Sequence, residues 1–378
     1  MIIDLIGFGI MMPVLPFYAR EFGASGTTLG FLFTVYAAAQ FLCAPAWGRL
    51  SDRIGRRRVM LMTIAGTTLA LLGLGFARSL VWLFVARAVG GAFAANIGIA
   101  SAYITDVTPE QDRTRWMGML GACFGVGFVL GPAIGGVLAP FGYAVPMFAA
   151  AALAGANWFH AVLSLREPPA RVRDLSGQAP PLRALSVPLV RRLCILNFVF
   201  SLGVTQLETV FAFFMQDRFG YDAREVALLL IAMAVVMGGI QGGGMKSLAA
   251  RWSERGLATV GSALLAAGFL ALPLAPSVAL LLVPLGLCAV GRAILQPALM
   301  SMVSFGADAR ARGSVMGTFQ ASASLARVLG PIAAGWLYDR ELAAPFYLAG
   351  VLLVAVAAQV RGLPSRELVP HPPPLVPL

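Results

Sequence analysis

Twelve apolar blocks, each about 18 to 25 residues long, follow one another along this chain, and no other feature limits its fold so tightly. A helix rising 1.5 Å per residue needs about 20 residues to cross a hydrocarbon layer of about 30 Å. Lipid offers no partner for backbone N–H and C=O groups, so such blocks must be helices. The blocks fall near 1–19, 27–47, 59–77, 80–104, 115–140, 143–165, 193–215, 225–245, 257–275, 277–301, 314–337 and 342–363. An all-α polytopic membrane protein is the fold class expected. Composition agrees: 59% of residues are hydrophobic and 12% charged, against about 25% charged in a soluble domain.

A formal charge of +11 raises the possibility of nucleic-acid binding. That reading needs a basic face on a soluble module, whereas here the arginines sit in short loops between apolar blocks, so no nucleic-acid partner is expected. They read as topology signals instead. One alternating set of loops holds Arg49, Arg53 and Arg56 to Arg58, then Arg113 and Arg115, the segment 166–192, Lys246, Arg251 and Arg255, and Arg310 with Arg312. The other set is close to neutral. The basic set is expected in the cytoplasm, with both termini. Met1 opens directly into apolar sequence, so no cleavable signal is expected.

Segment 166–192, with five prolines among its charges, reads as a linker between an N-terminal bundle (1–165) and a C-terminal bundle (193–363). The proline-rich stretch 364–378 reads as a disordered tail. The two bundles repeat each other: Arg113-x-x-x-Met117-Gly118 and Gly131-Pro132-x-x-x-Gly136 recur as Arg312-x-x-x-Met316-Gly317 and Gly330-Pro331-x-x-x-Gly335. Repeated six-helix halves place a substrate site between them near the membrane midplane.

The loop Gly48-x-Leu50-x-Asp52-Arg53-x-Gly55-Arg56-Arg57 resembles the signature loop of the major facilitator superfamily. The resemblance implies a cytoplasmic latch of Gly48, Asp52, Arg53, Gly55, Arg56 and Arg57, with Asp106 and Arg113 as further members. Gly127, Gly131, Pro132, Gly135 and Gly136 resemble the glycine-rich antiporter motif of the fifth helix, with Gly238 to Gly244 in the eighth as a candidate facing surface. Arg87-Ala-Val-Gly90-Gly91 resembles the fourth-helix motif tied to proton coupling. Asp4-x-x-Gly7 through Pro13 and Pro16 resembles the first helix of drug:proton antiporters, tetracycline exporters in particular. The family carries a longer stretch before Asp4, which raises the expectation of a late start. The eighth and ninth spans lack the His and Asp of the tetracycline exporters, which counts against tetracycline itself.

Within the spans the acids reduce to Asp4 and Glu208, and a carboxyl in low dielectric can load and release a proton near neutrality. At 1.5 Å per residue, Asp4 and Arg292 share a depth of about 22 to 24 Å, and Glu208 and Arg327 one of about 14 to 15 Å. Those depths propose two acid–base pairs, with Arg87 reaching the carbonyls freed by Pro13 and Pro16. The family places the cavity among spans one, four, seven and ten. That nominates Asn96, Gln206 and Gln296 with Phe8, Met12 and Phe211, while Asn157 and His160 read as links between helices.

The expected function is export of a small amphipathic compound in exchange for protons by a monomer in a bacterial plasma membrane. The partners are substrate, protons and lipid. A carrier of anionic metabolites is the rival, and a receptor on the same fold a remoter one. Four scattered cysteines and two histidines, His160 and His371, suggest no metal site, cofactor or catalytic cluster.

Overall fold

The computed structural model describes residues 2–109, 112–168, 185–305 and 312–363. All regular structure there is helical. In order come α1 (Ile2–Glu21), α2 (Gly26–Ile54), α3 (Arg56–Gly75), α4 (Leu80–Phe93), α5 (Asn96–Val107), α6 (Arg113–Leu138) and α7 (Ala144–Ser164). Then follow α8 (Pro188–Phe219), α9 (Ala223–Gly239), α10 (Met245–Arg251), α11 (Glu254–Ala271), α12 (Val278–Phe305), α13 (Arg312–Tyr338) and α14 (Ala344–Arg361). With α4 and α5 taken as one run, and α9 and α10 as another, twelve runs coincide with the twelve apolar blocks. Eleven of the described helices are long and apolar enough to cross a membrane.

Two interruptions depart from the expected continuous spans. The fourth run breaks at Ala94 and Ala95. The eighth widens into a π-helical turn over Ile240–Gly244, where three consecutive glycines leave the ladder free to expand. Residues 169–184 of the expected linker and all of the expected tail lie outside the described residues.

The chain gathers into two compact units, one of Met1–Val172, Leu207–Val235 and Val328–Pro345, the other of Arg173–Gln206, Val236–Arg327 and Phe346–Leu378. In the first, α1 lies against α6 and α7, α3 against α4 and α7, and α2 against α4. Its core is drawn from Ile10, Val14 and Leu15 of α1, Leu29 of α2, Leu83 of α4 and Met147 of α7, all fully buried. In the second, α11 and α12 form a close pair at Gly261, Gly268 and Gly291. There Asn197 Nδ2 of α8 donates to Phe319 O of α13 at 2.8 Å. Large apolar side chains such as Leu42, Leu69 and Val81 are well exposed, a liability in water and the ordinary lipid face of a membrane protein.

The α1–α6 seam shows why the glycines of the fifth span sit at four-residue spacing. Gly127, Gly131 and Gly135 fall on one face of α6, and each lets backbone meet backbone. A Cβ on Gly131 would lie 2.5 Å from Gly9 Cα, one on Gly135 2.5 Å from Ile10 O, and one on Gly9 2.6 Å from Gly127 O. Without a hydrophobic drive between helices in lipid, this close packing supplies the association. Gly131→Leu should part the pair and lower stability by about 1–3 kcal/mol, read as a lower melting temperature in detergent. Gly125→Ala, where a Cβ meets open space, should leave it unchanged.

Candidate functional site

Ionisable groups concentrate at three levels of the first unit. At the level of the basic loop, α2 turns into α3 at Gly55, whose φ of 105° only glycine adopts without strain. The turn buries Arg56 to 7% exposure. Its guanidinium pairs with Asp52 one helical turn back, donates to Ser51 Oγ, and meets Asp106 Oδ2 of α5 at 3.0 Å. Asp106, from a separate segment of the sequence, thus joins Asp52 and Arg56 of the loop in one cluster. Arg57 takes a different local task, donating to Leu165 O at 2.8 Å and Val162 O at 2.9 Å and so closing the end of α7. Glu167 caps α3 by accepting from Arg57 N at 3.2 Å, where the helix dipole favours an anion. Gly48 has open space beside it, Arg53 is exposed, and the side chain of Arg113 lies outside the described residues.

At the middle level, Asp4 Oδ1 accepts from Asn157 Nδ2 of α7 at 3.1 Å, so a residue read as a simple link between helices touches a proton-carrier candidate. Arg87 is 2% exposed. Its guanidinium lies 4.0 Å from the centre of the Tyr36 ring and 5.6 Å from that of Phe33, and Nη1 contacts Met11 Sδ at 3.4 Å. It therefore meets α1 at a thioether, not at the carbonyls opposite Pro13 and Pro16. Among the described residues its Nε has no hydrogen-bond partner and no carboxylate pairs with it. Aromatic faces stabilise a desolvated guanidinium by about 2 kcal/mol, well short of the cost of burying it.

The remaining candidates are placed as follows. Asn96 is buried at the first turn of α5, Phe8 sits half-buried between Tyr36 and Phe128, and Met12 is half-buried. On α8, Glu208 is half-buried, Phe211 is 3% exposed, and Gln206 is fully buried with Nε2 donating to Leu202 O at 3.0 Å. Arg292 of α12 is half-buried, while Gln296 and Arg327 are exposed. Pro132 packs beside Gly9, and Gly136 faces α9, where a Cβ would lie 2.6 Å from Ala227 Cβ. Spans five and eight therefore meet at Ala227 and Arg224, while Gly238, Gly239, Gly242 and Gly243 have open space among the described residues.

The opposite level holds contacts that the sequence reading did not find. Arg20, in the last turn of α1, makes a bidentate pair with Asp217 of α8 at 2.6 and 2.9 Å. It also donates to Gln216 Oε1 at 2.7 Å and stacks 3.9 Å over Phe213. Tyr338 of α13 adds its hydroxyl to Asp217 Oδ2 at 2.6 Å. The next residue, Asp339, accepts from Gly26 N at 2.6 Å and Thr27 N at 2.7 Å, capping α2 from the far end of the sequence. Below it α2 and α13 touch through glycines: a Cβ on Gly26 would lie 2.9 Å from Gly335 O, and one on Gly30 would collide with Pro331 O. Buried Thr34 donates to Val328 O at 2.8 Å.

The profile described as Major Facilitator Superfamily matches residues 1–304 and 245–375. The chain belongs to the major facilitator superfamily. Its members are transporters, not enzymes. Among the superfamily relatives, the class C tetracycline resistance protein of Escherichia coli is 31% identical over 96% of this chain and 95% of its own length. Multidrug resistance protein 1 of Bacillus subtilis is 30% identical over 93% and 91%. Two solved superfamily structures share the fold. A bacterial homolog of the human lysosomal transporter Spinster, inward-facing and occupied, aligns with a TM-score of 0.79 at 17% identity over 95% of this chain and 93% of its own. The human organic anion transporter MFSD10 aligns with a TM-score of 0.71 at 24% identity over 95% and 96%. This superfamily member is therefore a multi-pass membrane protein that handles small molecules.

Burial disfavours the charge on Asp339, but the Thr27 hydroxyl and the N–H groups of Thr27 and Gly26 outweigh it and hold the carboxyl below the ordinary range. The charged form that makes the cap is thus fully present above the ordinary carboxylate pKa and is lost only as pH falls through the lowered one. Labelling of Thr34→Cys by a maleimide should accordingly stay low from neutral to mildly acid pH. Adding Asp217→Asn should raise it by up to about fivefold, the factor for losing up to about 1 kcal/mol from a partly exposed pair.

Proposed function

We propose that this protein exports a small amphipathic compound in exchange for protons, by alternating access between two six-helix halves, 1–165 and 193–363. The observation that carries the reading is the placement of ionisable groups inside apolar spans, Asp4 against Asn157 and Arg87 against Tyr36. Such groups are costly in lipid and mark ion or substrate pathways. Relatives named for tetracycline and multidrug resistance, at 28–31% identity over most of the chain, support a drug-like compound as cargo.

In this reading the Arg56 end faces the cytoplasm with both termini, in a bacterial plasma membrane, and the protein works as a monomer. Glu208 and Asp4 carry protons, and Arg327 and Arg292 are the basic groups they pair with. Arg87 takes part in the same coupling. Substrate competes with protons by favouring a different state of the same equilibrium. Asn96, Gln206, Gln296, Phe8, Met12 and Phe211 line the cavity. The Asp52–Arg56–Asp106 cluster shapes the cytoplasmic latch, which must yield for the inner side to open. Arg20, Asp217, Tyr338 and Asp339 are its counterpart outside.

A second reading has its own support: Arg87, buried and without a carboxylate partner among the described residues, suits an anionic cargo. Proton release from purified protein separates the two. Tetraphenylphosphonium should evoke release that Glu208→Gln or Asp4→Asn abolishes while binding persists. Release evoked by benzoate and not by the cation would select the anion carrier, and binding without release would remove antiport altogether.

If the latch is as described, Asp52→Asn should slow transport of the same probe and leave its apparent affinity unchanged. Altered affinity at a normal rate would move Asp52 to the binding site.

A further inference from the structure

The interruption of the fourth span carries an inference that its sequence does not suggest. Breaks in membrane helices trace to proline, to glycine or serine pairs, to π-turns, or to a side chain inserted into the ladder. Here the broken residues are Ala94 and Ala95, between Phe93 and Asn96. Alanine is the strongest helix former, but the glycine pair Gly90–Gly91 lies within one turn before the break and loosens the ladder there. Two side chains of one neighbouring helix, α2, bond the carbonyls at the break. Gln40 Nε2 of α2 donates to Ala94 O at 2.8 Å, and Trp47 Nε1 of α2 donates to Ala92 O at 2.6 Å. These bonds satisfy two carbonyls that an unbroken helix would have bonded to its own N–H groups, a need that lipid cannot meet.

Packing fixes the same point. The Phe93 ring lies 5.3 Å from that of Trp47, and a Cβ on Gly66 of α3 would collide with it. Gly91 allows α4 to press against the backbone of Tyr36, again on α2. On one side of the break stands Arg87. On the other, α5 carries Asp106 to Arg56, and Arg56 follows directly on α2 through Gly55.

We propose that Gln40 and Trp47 are positioning residues that hold the fourth span open at Ala94–Ala95, making α5 a separate lever that moves with the latch while α4 stays with the core. Closing the ladder would free both side chains and swing the Asp106 end of α5. This device rests on the transporter reading of the latch, but not on the identity of the cargo or on protons.

Spin-label distances in the full-length protein test it without any substrate. One pair, at Val107 and Leu163, reports α5 against α7; the other, at Val81 and Phe141, reports α4 against the α6–α7 turn. All four positions are exposed. Trp47→Phe keeps an aromatic ring against Phe93 and removes only the N–H donor; Gln40→Leu removes the other donor. Each should shift or broaden the first distance by several ångström and leave the second unchanged. An unchanged first distance in both variants, or a joint shift of the two pairs, overturns the proposal. If one variant does not fold, the other decides. Failure of proton release in the experiment above would leave this outcome untouched.

Discussion

Every backbone polar group placed in lipid must find its partner inside the protein, and that constraint orders the rest of the structure. It forces helices on the apolar blocks, and where a helix stops or breaks, side chains can step in. The fourth span answers with Gln40 and Trp47. The end of α7 answers with Arg57, and the start of α2 with Asp339. In each case a residue from another segment helps to complete the ladder, at α2 beside the local Ser25 cap. The connections between spans are thereby tied into the bundle they join.

A second consequence concerns how helices adhere. Since lipid is as apolar as leucine, α1 and α6 hold together by backbone contact at Gly9, Gly127, Gly131 and Gly135. Contacts of this kind are short-ranged and leave little room for sliding. Gly136, one residue along, faces α9 instead. The glycine motif of the fifth span thus serves two neighbours, with the larger share going to its own half of the sequence.

The number and order of the spans were legible in the sequence because block length and apolarity are local properties. The Asp52–Arg56–Asp106 cluster was legible through a specific motif and its resemblance to a family. The pairing of Arg20 with Asp217 and the capping of Gly26 by Asp339 were not: residues this far apart leave no periodic trace, and their charges entered the reading only as near-neutral loop counts. The break at Ala94–Ala95 was hidden because alanine signals helix and the nearby pair Gly90–Gly91 was read only as part of a motif. Asn157 joins neighbouring helices, as an amide in such a helix usually does; that its partner is Asp4 was not legible in the sequence.

The two ends of the first unit hold ionic contacts of different exposure. Arg20 and Asp217 are each about a third exposed, at 30% and 33%, and Asp339 is exposed as well. Attraction between exposed charges weakens with ionic strength, over a Debye length of about 8 Å in physiological salt. The Asp106 and Arg56 side chains, at 15% and 9% exposure, are shielded from mobile ions. The Arg20–Asp217 contact is therefore more open to mobile ions than the Arg56–Asp106 one, while Asp52, 49% exposed, leaves the Arg56 cluster open to them on one side.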